Sequence, residues 1–426
     1  MKHTPWKTAV AAVAGTSLLL GLGACGRSED KAAGASEGAV TSIDSEPATG
    51  DLTVWAMGNE GDLLGDFVEG FKEENPDVNI TVTAIPWASA HDKIQTAIAA
   101  GTVPDVIQMG TTWMADFADA FAPVPENFDL SDFSAGPLEA GQVNGEQLGV
   151  PWYVDSHVLY YRTDIAEQAG WDHAPETLDE LKQMAADVKQ VDGVENGIYI
   201  SPSGADSWQG TLWAFFSSGV SLMDDEGNWT LDTPQMHEAT EYIDSFFKDG
   251  ITGTNLDVTP GVSITQFVNG ETPIMTGGPT TISQIADQGG DPDSYATAVI
   301  PKGESSTSFV GGADFVVMDE AANPDAGWKF IQWMTKPETQ VEWYKTATVL
   351  PSSQSAWEDE TLAGDDKLVA YGEQLKSTQA PPAVPTWAQV SAAGDRIMEQ
   401  IYKGQLSVDE GLKNLQAEAE SIGTGE

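Results

Sequence analysis

From Asp51 to Gln108, β-prone runs alternate with amphipathic helical ones, and nothing else in the chain narrows the fold so far. Asp51-Leu-Thr-Val-Trp-Ala56 alternates and is rich in strand formers. Leu63, Leu64, Phe67, Val68 and Phe71 repeat at helical spacing towards Glu74, and Asn75-Pro76 ends that run. A second strand is predicted over 78–85, a second helix over 91–100 stopped by Gly101, and a third strand over 104–108. Strand, helix, strand, helix, strand at this spacing means parallel βαβ units and an α/β class.

The alternation changes after Val150. Residues 150–162 form a long extended run, 178–190 an amphipathic helix, and 208–219 a helix apolar enough to be buried. Thr233-Pro234 opens a helix over 235–249. Strands follow at 296–301 and 309–318, then helices at 323–334, 366–376, 390–403 and 408–421. A second domain is expected over about 157–298, and no internal repeat is evident.

Cys25 is the sole cysteine, so the fold contains no intrachain disulfide. Ahead of it stand a basic head with Lys2, His3 and Lys7 and an apolar stretch from about Ala9 to Leu22. This is the layout of a secretory signal peptide, with a core too short to span a bilayer. Leu22-Gly23-Ala24-Cys25 resembles the lipobox of bacterial lipoproteins. The resemblance implies cleavage after residue 24, diacylglycerol on Cys25, and a mature protein lipid-anchored on the extracellular face of the cell membrane. An ordinary signal peptide with a chance cysteine is the alternative. Residues 25–50 are small, polar and acidic without apolar period, as in a flexible tether, so order is expected to begin near Asp51.

The mature chain of about 400 residues suffices for two domains with real cores. Its 66 acidic and 19 basic side chains leave a formal charge of −47. That excludes nucleic acid, whose phosphates require Lys and Arg, and a basic patch on anionic lipid. It disfavours an anionic ligand without naming another. The sequence contains no HExxH, G-x-S-x-G or P-loop motif, and its five histidines are scattered. Asp224 to Gly227 lacks Ca²⁺-loop spacing and reads as a hairpin turn. Acid pairs are abundant, so counting carboxylates does not exclude a glycosidase.

Six segments, in order, resemble the extracellular solute-binding proteins of bacterial ABC importers, the carbohydrate-binding kind related to maltose- and trehalose-binding proteins. They are LTVWAMGNEGDLLGDFVEGFKEENPDVNITV, GTVPDVIQMGTTWMADFA, PWYVDSHVLYYRTDIAEQAG with PETLDELKQMAADVK, FVNGETPIMTGGPT, the run from Phe309 to Ser352, and VPTWAQVSAAGDRIMEQIYKGQLSVDEGLKNLQAE. The resemblance implies a two-lobe periplasmic-binding-protein-like α/β fold with a hinge and an inter-lobe ligand cleft. Lobe one would be 51–154 plus 302–352, and lobe two 155–301 plus 353–426. It implies a monomer without cofactor or metal that captures a di- or oligosaccharide for a membrane permease. An extracellular glycan-processing enzyme and a surface adhesin are the competing classes.

A sugar site needs aromatic platforms for C–H faces and planar carboxylates or amides for paired hydroxyls. By resemblance, Asn59 and Glu60, after the first strand, contact hydroxyls; otherwise they cap a helix or supply first-turn acidity. Thr111 and Trp113 follow the third strand, where many relatives carry an aspartate, and Trp113 either stacks on sugar or packs inward. Tyr153 and Asp155 are two apart on an extended run, so both face one way, at the hinge. Trp208 and Gln209 open a helix of lobe two, with core packing the other reading of Trp208. The loop Gly277 to Thr280 lacks the stacking tryptophan of several relatives and leaves Thr280 as the candidate. Gly312 suggests close backbone approach. Asp314 reaches ligand or satisfies local backbone, and Trp387 closes over ligand or packs the hinge.

Overall fold

The computed structural model describes residues 40–224 and 226–425. The signal peptide, Cys25 and the first part of the tether lie outside them. Twelve strands occur among the described residues: β1 Gly50–Met57, β2 Val78–Ile85, β3 Val106–Gly110, β4 Gln142–Val143, β5 Glu146–Gln147, β6 Val150–Ser156, β7 Val158–Arg162, β8 Ile274–Gly277, β9 Tyr295–Ala298, β10 Ser308–Val317, β11 Leu350–Pro351 and β12 Thr378–Gln379.

Seven of them form one sheet in the order β11-β6-β10-β3-β1-β2, with β12 beside β10. β1 pairs in parallel with β2 and β3, as the βαβ spacing predicts. β10 is antiparallel to both β3 and β6. The helix Trp87–Ala100 makes the crossover from β2 to β3 and ends on Gly101, whose φ of +62° is left-handed. A second sheet of three strands, β8-β7-β9, is antiparallel throughout. Only His157 separates β6 of the large sheet from β7 of the small one, so the chain changes sheets there in a single step. β4 and β5 form a hairpin on Asn144-Gly145, both at positive φ.

Helices surround the small sheet. Leu178–Val188 begins where the Thr177 hydroxyl accepts the Glu180 N–H and the Glu180 carboxylate accepts the Glu176 N–H. Pro234–Lys248 begins with proline in its first turn behind a Thr233 cap. Leu181, Trp208, Trp213, Phe215, Phe246 and Ile397 share one core there, while Leu52, Val54, Trp152, Phe315, Trp328 and Phe330 form another against the large sheet. Asp224 makes the expected turn, its carboxylate accepting the backbone N–H groups of Glu226 and Asn228.

Three sequence expectations are corrected. The predicted helix over 63–74 is two, Gly58–Phe67 and Glu69–Glu74, broken at Val68. Two further helices lie outside the sequence expectations: Val262–Asn269, which starts after Gly261 without a side-chain cap, and Pro337–Ala347, whose Pro337 and Glu338 stand in its first turn. Order also begins before Asp51. Ile43 and Ala48 are buried, the Ile43 N–H and carbonyl both bond the Asn127 amide, and the Ala48 N–H reaches Asn75 Oδ1. Asp44 pairs with the buried Lys329 at 2.7 Å. Two apolar side chains in a polar run suffice to dock it once acceptors on the body match its backbone.

Candidate ligand-binding cleft

A cleft of about 430 Å³ opens where the C-terminal edge of the large sheet meets the loop 206–210 beside the small one. Its floor is β6 with β10. Tyr153, Asp155 and His157 alternate on one face of the crossing strand, while Trp152 and Val154 point to the cores behind. Phe309 and Gly311 add their side of β10. Gly312 has a φ of +127°, and a Cβ there would lie 2.3 Å from the Tyr153 carbonyl oxygen, so only glycine fits.

One wall comes from the strand ends. Gly110 ends β3 and Thr111, Thr112 and Trp113 follow it, while Trp87 follows β2. The Trp87 and Trp113 rings meet edge to face at 5.4 Å. His91 supports Trp113 from behind at 5.3 Å and is held by Asp116 at 2.9 Å. Gly58, at a left-handed φ, makes room for Trp87, since a Cβ there would come within 2.7 Å of its ring. The opposite wall is Asp206, Gln209 and Gly210. Asp206 sits at φ +59°, tolerable for aspartate, and the Asp395 carboxylate fastens the loop by accepting the N–H groups of Asp206 and Trp208 at 2.9 and 2.8 Å.

Second-layer bonds fix the floor. Buried Gln108 accepts the Met57 N–H and donates to the Tyr153 hydroxyl at 3.2 Å. The Tyr160 and Tyr371 hydroxyls share two protons among three contacts: they lie 2.7 Å from each other, Tyr371 lies 2.9 Å from the Gly277 carbonyl and Tyr160 3.2 Å from the Gly278 carbonyl. That holds the loop after β8 so close that a Cβ on Gly278 would come within 2.6 Å of Asp155 Oδ1. Asp155 Oδ1 and His157 Nδ1 are buried without hydrogen-bond partners. Burial pushes the Asp155 carboxyl above its ordinary value, against the pull of His157, and pushes the His157 imidazole down. Burial, aided by the charges of Glu60 and Asp155, raises the Tyr153 phenol, which therefore stays a neutral donor.

Six of the sequence candidates line the cleft: Thr111, Trp113, Tyr153, Asp155, Gln209 and Gly312. Six do not. Trp208 is fully buried in the core beside the small sheet, its ring against Gly394. Trp387 is 2% exposed, packs on Trp208 and Trp229, and reaches the cleft only by donating to Gln209 Oε1 at 3.3 Å. Asp314 shares the Val316 face of β10, where a Cβ on Gly149 would meet both its carboxylate and the Met114 methyl at 2.9 Å. Its Oδ2 has no partner, and burial pushes its carboxyl up to about 8. Thr280 is exposed at the start of the helix Thr280–Asp287, outside the cavity. Asn59 is exposed inside a first helical turn capped by Met57, so it is no cap, and Glu60 stands half-buried beside it, its carboxyl raised by burial. Trp87, His157, Asp206 and Phe309 were missed. His157 merely continues the alternation of 153 and 155, and Phe309 that of 311.

Among the described residues, no group of His, Cys, Asp and Glu is arranged to hold a metal, and no helix is long and apolar enough to cross a membrane. The model of the bacterial extracellular solute-binding protein family matches residues 66–386. The structure superposes on the sugar-binding protein MalE from the phytopathogen Xanthomonas citri with a TM-score of 0.80 and 27% identity, over 88% of this chain and 97% of that one. A maltotriose-binding protein of Pyrococcus abyssi is 24% identical over 406 residues, 88% of this chain and 84% of its own length. A galactooligosaccharide-binding protein of Bacillus subtilis is 21% identical over 410 residues, 92% of each chain. With a family model spanning most of its length and a shared α/β periplasmic-binding-protein fold, the chain belongs to the bacterial extracellular solute-binding proteins, whose work is capture of a solute and not its chemical conversion.

Proposed function

We propose that the protein is the lipid-anchored capture component of an ABC importer and that its solute is a neutral di- or oligosaccharide. The lining of the cleft carries this reading. Trp87, Trp113, Tyr153 and Phe309 offer apolar faces, and Asp155, Asp206, Gln209 and the Thr111 and Thr112 hydroxyls offer polar edges. Among the described residues no Lys or Arg lines it, so an anionic solute would find no counter-charge. Glycines at 110, 311 and 312 let a ring approach the backbone. The names of the sugar-binding relatives agree with this chemistry.

In this reading lobe one is 51–154 plus 302–352 and lobe two is 155–301 plus 353–426. The step from β6 to β7 and the return from β9 to β10 support those crossings. The solute binds the closed form better and shifts the population towards it, and the permease recognises that form. The protein works as a monomer, held by lipid on Cys25.

Calorimetry and thermal shift with a panel of maltotriose, galactooligosaccharides, lactose, amino acids and glycine betaine test the solute. At about 100-fold above its dissociation constant a sugar should stabilise the fold by about 2.7 kcal/mol. A response to amino acids or betaine alone would remove carbohydrate from the reading. Cys25→Ser should release the protein from membranes; retention after a salt wash would remove the lipid.

A further inference from the structure

We propose that Trp387 is a positioning residue of the cleft: its indole N–H orients the Gln209 amide, so that Gln209 offers the bound sugar a hydrogen-bond donor and not an acceptor. The inference rests on the oligosaccharide reading and deepens it. Gln209 lines the cleft and is half-buried, and its Oε1 accepts from Trp387 Nε1 at 3.3 Å. An indole N–H only donates, so the amide must turn its oxygen to it; the flipped amide would set two donors against each other. The NH2 group is left on the other branch of the side chain, and among the described residues no protein group accepts from it.

Both partners are held from behind. The Trp387 ring packs on Trp208 and Trp229, and a buried indole N–H needs an acceptor, so the grip is mutual. The Asp395 carboxylate accepts the N–H groups of Asp206 and Trp208, and the Gly210 N–H donates to the Asp206 carbonyl at 2.8 Å, closing the turn that carries Gln209. Trp387 and Asp395 lie about two turns apart on the helix Trp387–Tyr402, so one helix face fixes both the backbone and the amide of this wall. A solute that covers the NH2 group must bring it an oxygen or leave it desolvated and unpaired. The Asp206 carboxylate on the same wall accepts. The two residues therefore suit a sugar, which supplies a hydroxyl proton to one and an oxygen lone pair to the other.

A double-mutant cycle in the full chain tests the arrangement. Gln209→Leu removes the amide at similar volume, and Trp387→Phe removes the N–H while keeping an aromatic ring. Both single variants and the double variant are titrated calorimetrically with maltotriose, lactose and a galactooligosaccharide, well below their melting temperatures. The expected result is a loss of about 3- to 10-fold in affinity for Gln209→Leu, a loss of about 2- to 5-fold for Trp387→Phe, and no further loss when Trp387→Phe is added to Gln209→Leu. Parental affinity in either single variant overturns the assignment while leaving the sugar reading intact. Additive losses overturn it too, since Trp387 then acts without Gln209. If Trp387→Phe does not fold, the Gln209 side-chain NH2 signals in the nitrogen NMR spectrum of the unaltered protein decide, identified by their loss in Gln209→Leu. Saturating sugar should shift them, and unmoved signals overturn the role. Failure of the unaltered protein to bind any of the three sugars overturns the sugar reading and the role of Trp387 with it.

Discussion

Two tryptophan pairs of similar separation have opposite fates. Trp87 and Trp113 meet at 5.4 Å, Trp208 and Trp387 at 5.8 Å. The first pair stands half-buried on the helical turns that follow β2 and β3 and faces the cleft. The second is sealed beneath helices, and a Cβ on Gly394 would lie 1.9 Å from the Trp208 ring. An indole is equally good platform and core filler, so residue type decides nothing. What decides is whether the tryptophan follows the C-terminal end of a strand or lies against a glycine inside a helix. Two carboxylates repeat the contrast. Asp155 faces the cleft from β6, whereas Asp314 is sealed behind β10.

The largest effect expected from this contrast is on stability. Trp208→Ala should cost about 3–5 kcal/mol in urea denaturation, as other buried aromatic truncations do. A Trp208→Ala protein that unfolds normally but no longer binds sugar would move Trp208 from core to site. Next, Asp155→Ala should weaken sugar binding by about 1.5–3 kcal/mol while melting normally, because it removes a charge-assisted acceptor at the cleft. Titration calorimetry decides this, and unchanged affinity would equate Asp155 with Asp314.

Asp314 should act through pH instead. Its folded carboxyl titrates at about 8, raised from 3.8 by burial, so between those values the folded state holds a proton that the unfolded state has lost. Stability therefore falls as pH rises from about 4 to 8. Asp314→Asn should remove this slope, a gain of about 3–4 kcal/mol at pH 8 relative to pH 5, read from urea midpoints at the two pH values. A slope that survives would assign it to other groups. The smallest effect is Trp113→Ala, about 0.5–1.5 kcal/mol in affinity with little change in stability. A loss of stability as large as that of Trp208→Ala would erase the distinction between the pairs.

Local sequence carried much of the fold. β2 begins and ends where its alternation does, and the crossover helix stops at the glycine that marks it. The floor of the cleft was legible for the same reason, since period two places 153 and 155 together whatever the tertiary context. The same rule applied two residues further would have found His157. Trp208 and Trp387 were not separable from cleft residues by spacing, because what buries them is packing between segments 179 positions apart. Gly394 held a readable hint, a glycine inside a helix where another chain segment comes close. Thr280 was placed by loop correspondence alone, and a loop of different shape carries no register from one relative to another. The docking of residues 40–49 depends on Asn75, Asn127 and Lys329, distant acceptors and donors that no local pattern announces.

That docked segment has a mechanical meaning. Ile43 and Ala48 join the core of the large sheet, and Asn75, Asn127, Asn323 and Lys329, which grip the strap, all belong to that same half of the molecule. In the proposed lipid-anchored reading, tension reaching residue 40 would therefore pass into the half built on the large sheet. Among the described residues the half built on the small sheet carries no part of the mooring, so in the proposed two-lobe reading it would swing through its closing stroke without hauling on the leash. In that reading a leash ending in the hinge would resist every stroke, whereas one made fast to the half with the larger sheet would leave the other half to respond to solute alone.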